Sequence, residues 1–140
     1  MADSEVTELS KTMSQVPKSI LTILNQLYEL EQKIKKYGDP SNFSRNVSKM
    51  KDALAEEGFP VLDASTGQHR IGLAYEDPMG QSVNETRTDL EFQISGEGTE
   101  NLVVVEVIKP IIRVILSDST GKFSQVAQKG IVIVESRKEL

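Results

Sequence analysis

Residues 101–116 read NLVVVEVIKPIIRVIL, eleven branched apolar residues in sixteen with a Lys-Pro break near the middle. A run this apolar reads as a membrane span, a buried helix or a pair of strands, and the choice governs the rest of the chain. A spanning helix needs about 20 apolar residues in succession, and Glu106, Lys109 and Arg113 interrupt this run. Its Val and Ile content favours strand, while Pro110 opposes a helix interior. Proline also has no N–H to give a central ladder, so Lys109-Pro110 marks an edge, a bulge or a corner. The stretch therefore predicts two strand segments, 102–108 and 111–116, joined by a bend and free to lie in different sheets.

Working outward, residues 117–122 carry Asp118 and Gly121 and read as a hairpin loop. Residues 123–128 return, Lys129-Gly130 makes a second corner, and 131–135 form the last strand. Upstream, Leu90, Phe92 and Ile94 alternate with Asp89, Glu91, Gln93 and Ser95 within a strand over 87–95. Shorter strands are expected at 59–63 and 69–75, each followed by turn-forming residues. The C-terminal part, 59–140, thus reads as an all-β domain of two small sheets, its apolar residues as core and its acidic faces as solvated surface.

Before residue 58 the period changes. Val6, Leu9, Met13, Val16, Ile20, Ile23, Leu27, Leu30, Ile34 and Tyr37 follow steps of three and four, the a/d seam of a helix that pairs with another helix. Pro17 falls inside the seam and predicts a kink or a helix start there, leaving 1–16 as an uncertain extension. Leu21, Leu24 and Tyr28 add a second stripe, so the helix wants more than one neighbour. Gly38 can end it, Asp39 can cap the next helix, and Pro40 suits a first helical position. Phe43, Val47, Met50 and Leu54 continue the pattern up to Gly58. Residues 17–58 are therefore a helical hairpin with antiparallel arms. The expected fold class is α+β: this hairpin, self-associated into a dimeric four-helix bundle, followed by the small all-β domain. The dimerisation residues are then Ile20, Ile23, Leu27, Leu30, Ile34, Phe43, Val47, Met50 and Leu54. The alternative is a hairpin that packs on its own C-terminal half.

Composition narrows the function classes. A net charge of −5 argues against nucleic acid, which is bound through clustered Lys and Arg. The chain has no cysteine, and its acidic start lacks the apolar core of a signal peptide; a cytoplasmic protein that binds neither nucleic acid nor membrane is expected. His69 is the sole histidine and reads as a solvated loop residue. Asp63, Glu76, Asp77, Glu85, Asp89 and Glu91 lack calcium-loop spacing. Thr120-Gly121-Lys122 lacks the upstream glycine of a phosphate loop, and Ser124 has no histidine placed to activate it. No enzyme, metal or cofactor is expected.

Three short segments carry a likeness. Leu54-Ala-Glu-Glu-Gly58-Phe59-Pro60-Val61, Gly72-Leu-Ala-Tyr75-Glu-Asp77-Pro78 and Val104-Val105-Glu106-Val107, with the closing Gly130-Ile-Val132-Ile-Val134, resemble the GrpE family. The element order of heptad helix, short hairpin and β domain is similar too. The chain departs from that family after Asp77-Pro78, where Met79-Gly80-Gln81-Ser82 replaces His-Glu-Ala. It departs again at Lys109-Pro110, in place of a glycine-aromatic turn, and at Gln128-Lys129-Gly130, in place of Arg-Pro-Ala. The resemblance implies a homodimer whose β domain docks an Hsp70-type chaperone and promotes nucleotide release, with no chemistry of its own. Lys109, Pro110, Arg113, Lys129 and Gly130 are the expected partner-binding residues. A docking adaptor without exchange activity is the alternative.

Overall fold

The computed structural model describes residues 16–62, 70–118 and 121–137. The expectations for Val6, Leu9, Met13, Asp63 and His69 lie outside the described residues. Helix α1 (Lys18–Tyr37) starts directly after Pro17, whose carbonyl accepts the N–H groups of Ile20 and Leu21 at 3.0 and 3.2 Å. At its other end the Gly38 N–H donates to the Ile34 carbonyl at 2.8 Å. Helix α2 (Phe43–Glu56) opens on a cap built by Asp39. That carboxylate accepts the backbone N–H groups of Phe43 and Ser44 and the Ser44 hydroxyl, covering donors that would otherwise have no partner. Hydrogen bonding from Ser44 holds the Asp39 carboxyl below its usual range. Pro40, expected at the first helical position, sits earlier, in the connection. The helix begins at Phe43 because Asn42 adopts the left-handed conformation (φ 62°).

Among the described residues seven strands follow: β1 (Arg70–Glu76), β2 (Ser82–Val83), β3 (Leu90–Ser95), β4 (Leu102–Lys109), β5 (Ile111–Asp118), β6 (Gly121–Gln128) and β7 (Gly130–Ser136). They form a three-stranded sheet in the order β1-β5-β6 and a four-stranded sheet in the order β2-β4-β7-β3. The chain crosses from one sheet to the other three times, over residues 77–81 between β1 and β2, at Pro110 between β4 and β5 and at Lys129 between β6 and β7. Both corners expected from the sequence are therefore sheet crossings. The expected loop at 117–122 is tighter than foreseen, since β5–β6 pairing runs to Asp118 opposite Gly121. The short strand expected at 59–63 reduces to a bridge, Val61 beside Leu73. There Gly72 permits a close approach: a Cβ would lie 2.7 Å from the Pro60 carbonyl oxygen and 2.6 Å from Leu62 Cγ.

The seam of the hairpin is spent inside the chain. Leu24, Leu27, Val47 and Leu54 pack with Leu73, Ile112 and Val114 of the three-stranded sheet in one core. Ile20, Leu30 and Ile34 lie half-buried against it. The α+β class stands, and the dimeric four-helix bundle is not shown: helices of 20 and 14 residues are short for one and find a second neighbour in a sheet face, so the hairpin packs on its own C-terminal half. Of the expected dimerisation residues, Ile23, Phe43 and Met50 remain exposed. A second core, Val83, Leu90, Leu102, Val104, Ile111, Val132 and Val134, fills the inner face of the four-stranded sheet. No helix among the described residues is long and apolar enough to cross a membrane.

Candidate docking face

The four-stranded sheet has a second face, and strand β4 shapes it. Its pairing with β7 steps from Val104–Val134 to Glu106–Ile133 and from Val107–Val132 to Lys109–Ile131. Each step leaves one residue over, Val105 and then Ile108, and such β-bulges re-aim side chains. As a result Leu102, Val104 and Val107 point inward, while Val103, Val105, Glu106, Ile108 and Lys109 fall on the outer face. Alternation along β7 adds Ile131, Ile133 and Glu135, and along β3 adds Glu91 and Gln93.

Val103, Val105, Ile108, Ile131 and Ile133 belong to neither core. Four are half-buried among their neighbours, and Ile108 is 51 % exposed. The helices pack on the other sheet, so they do not cover this one. Around the aliphatic patch stand three carboxylates, Glu91, Glu106 and Glu135, and one ammonium, Lys109, all exposed. The reading of every strand aliphatic as core thus fails for these five. The signal that could have found them is the unbroken Val103-Val104-Val105 run, too apolar for a strand with one wet face.

The corners behind this face are locked from within. Asn25 of α1 and Gln128 of β6 exchange two amide hydrogen bonds at 2.9 Å, and Gln128 Nε2 also donates to the Pro110 carbonyl at 3.0 Å. Arg113 of β5 donates to Glu76 at 2.9 Å and to Asp89 at 2.7 Å. Arg87 grips the same Asp89 carboxylate with two bonds of 3.0 Å, and the Asp89 carbonyl accepts the Gly130 N–H at 3.0 Å. Asp89 precedes β3 of one sheet and Arg113 lies in the other, so the Arg87–Asp89–Arg113–Glu76 chain staples the two sheets together.

The five residues expected to bind a partner therefore divide. Pro110 and Gly130 are buried and serve as corners, and Arg113 is bonded to Glu76 and Asp89. Only Lys109 and Lys129 are exposed, and only Lys109 belongs to the outer face. Comparison with family models, curated proteins and solved structures finds no match for this chain.

The staple titrates with a definite sign. Hydrogen bonding from Arg87, then from Arg113, outweighs burial and holds the Asp89 carboxyl below its usual range. A depressed carboxylate contributes stability that is complete above its unfolded pKa, about 3.9, and is lost as pH falls through the folded value. Asp89→Asn should therefore cost about 1–3 kcal/mol at pH 7, and the gap to the parent chain should shrink below about pH 4. Urea midpoints of both proteins at pH 7 and pH 3 measure this; an undiminished gap at pH 3 would contradict it.

Proposed function

We propose that this chain is a docking protein that works through the outer face of its four-stranded sheet. The observation that carries this is the aliphatic patch Val103, Val105, Ile108, Ile131 and Ile133, which belongs to neither core and stands within an acidic rim. Contiguous exposed apolar surface is retained where another surface covers it. The partner we favour is an Hsp70-type chaperone, with the chain acting as a GrpE-like co-chaperone. Element order and the short motifs around Gly58, Asp77-Pro78 and Val104-Val107 support that choice. In such a mechanism the β half binds the open form of the nucleotide-binding domain more tightly and shifts it toward release. No bond is made or broken by the factor itself.

The test is release of a fluorescent ADP from an Hsp70 in the presence of rising amounts of the protein. Acceleration that saturates is the expected result. The double change Ile108→Thr with Ile133→Thr keeps β-branched residues in the strands and removes apolar surface. It should raise the half-saturating concentration about tenfold or more, the equivalent of about 1.4 kcal/mol. Full activity in the double variant would overturn the outer face as the docking surface.

A second reading, a docking adaptor without exchange activity, is favoured by the fates of Pro110, Arg113 and Gly130. The expected contact residues there are occupied with holding the corners. An unaccelerated release rate by folded protein selects this reading and leaves the face in place for another partner.

A further inference from the structure

Among the described residues every sheet edge but one is short, covered or bulged. β2 has two residues, and the free length of β4 beyond it carries two bulges and ends at Pro110. The edge of β1 is bonded by the chain that leads into the sheet. There the Leu62 N–H donates to the Leu73 carbonyl at 2.7 Å, and the Leu73 N–H to the Pro60 carbonyl at 2.8 Å. β6 has an extra residue, Ala127, where it pairs with β5. Shortness, bulges, prolines and covering segments are what keep an edge from recruiting another strand. β3 has none of them. It lies last in its sheet and pairs with β7 in unbroken register, from Leu90–Gly130 to Ser95–Glu135.

One bond fixes the direction of its free groups. The Asp89 carbonyl accepts the Gly130 N–H, and backbone groups turn to alternate sides along a strand. Glu91, Gln93 and Ser95 therefore direct N–H and C=O toward β7, while Leu90, Phe92 and Ile94 direct theirs to the open side. The side chains of Leu90, Phe92 and Ile94 share the inner face. Phe92 is half-buried against the second core, and Ile94 is 42 % exposed, so apolar surface is left uncovered at this edge. The charge around it has one sign. Glu91, Glu97 and Glu100 are exposed and make no ion pair among the described residues, and no Lys or Arg occurs from residue 88 to 108.

We infer that β3 takes up an extended cationic segment of another protein as a fifth strand of its sheet. Alternate apolar residues of that segment cover Phe92 and Ile94, and the Lys or Arg between them stand over Glu91 on the other face. Backbone bonds to Phe92 and Ile94 hold the segment, and the carboxylates choose its charge. A second copy of this chain does not meet that need, because its own edge brings further carboxylates to Glu91, Glu97 and Glu100. The edge borders the outer face, where Glu91 stands beside Ile131 and Gln93 beside Ile133. It is still a separate surface, and its occupancy does not require the docking described above.

The probe is a peptide of about eight residues, an ordinary strand length, with Val and Lys in alternation, blocked ends and a fluorescein label. Added to the full chain and read by anisotropy, it should bind saturably and about tenfold or more tighter than the matching Val and Glu peptide. At saturation the amides of Phe92 and Ile94 should gain protection from hydrogen exchange, while those of Glu91, Gln93 and Ser95 change little. Ile94→Pro removes an outward N–H and no bond to β7. It should raise the dissociation constant of the Val and Lys peptide about tenfold or more, with the far-ultraviolet spectrum of the parent retained. Glu91→Lys should weaken the same peptide through charge alone. Ile108→Thr with Ile133→Thr alters the docking face and should bind the peptide as the parent does, so the two surfaces are tested separately. Equal affinity for the two peptides, or no saturable binding, would overturn the inference. So would binding that leaves the Phe92 and Ile94 amides unprotected or that persists unchanged in Ile94→Pro.

Discussion

Leu27→Asp should leave the whole chain unfolded at room temperature. Leu27 is 1 % exposed and sits in the core that joins α1 and α2 to the three-stranded sheet. Removing its side chain alone, as in Leu27→Ala, should cost about 2–5 kcal/mol. A carboxylate in that place adds the desolvation of a charge with no partner, several kcal/mol more even after it takes up a proton. The sum approaches or exceeds the 5–15 kcal/mol that a domain of this size has in hand. Because the hairpin and the sheet share this core, β signal should disappear together with helix signal. Circular dichroism and a urea titration read the outcome. Ile23→Asp on the same helix, at a position 39 % exposed, should cost about 1 kcal/mol or less. A Leu27→Asp protein with an intact spectrum and only an altered mass would mean that the seam faces outward after all.

That prediction marks where the sequence stops speaking. A period of three and four says that Leu27 is covered, and it says nothing about whether the cover is a second helix pair or a sheet. The answer depends on the face of β1 and β5 that carries Leu73, Ile112 and Val114, whose destination is a matter of tertiary packing. The corners were legible for a different reason. Pro110 lacks a donor and cannot be mid-ladder in any arrangement, so local chemistry alone required a break. By contrast, β2 has two residues, too few for a period. The parallel pairing of β3 with β7 joins segments whose contact no local pattern encodes. The outer face was hidden by the bulges, since two extra residues in β4 shift its alternation twice within eight residues. The Arg87–Asp89–Arg113–Glu76 staple joins residues spread over three segments of the chain, and each of them alone reads as ordinary surface charge.

The second large effect lies at the other corner. Gly130→Val should destabilise the chain by about 3 kcal/mol or more. The reason is a close approach: a Cβ on Gly130 would lie 2.7 Å from Leu90 Cδ2, 2.9 Å from Ile111 Cγ1 and 3.4 Å from the Ile111 backbone nitrogen. Leu90 and Ile111 are themselves buried in the inner core, so neither can swing into solvent to make room. Overpacking by one small group typically costs about 1–3 kcal/mol, which is the expectation for Gly130→Ala; the two further methyl groups of valine must displace Ile111, the first residue after Pro110. The two corners therefore lean on each other. Any push at Gly130 is transmitted to the Pro110 crossing and, through the Gln128 amide that holds the Pro110 carbonyl, to Asn25 of α1. Lys129→Ala, one residue away and exposed, should change stability by about 0.5 kcal/mol or less. Urea midpoints of the three variants measure the series. Equal midpoints for Gly130→Val and Lys129→Ala would mean that the corner is slack, and that the glycine was not kept for the contact with Ile111.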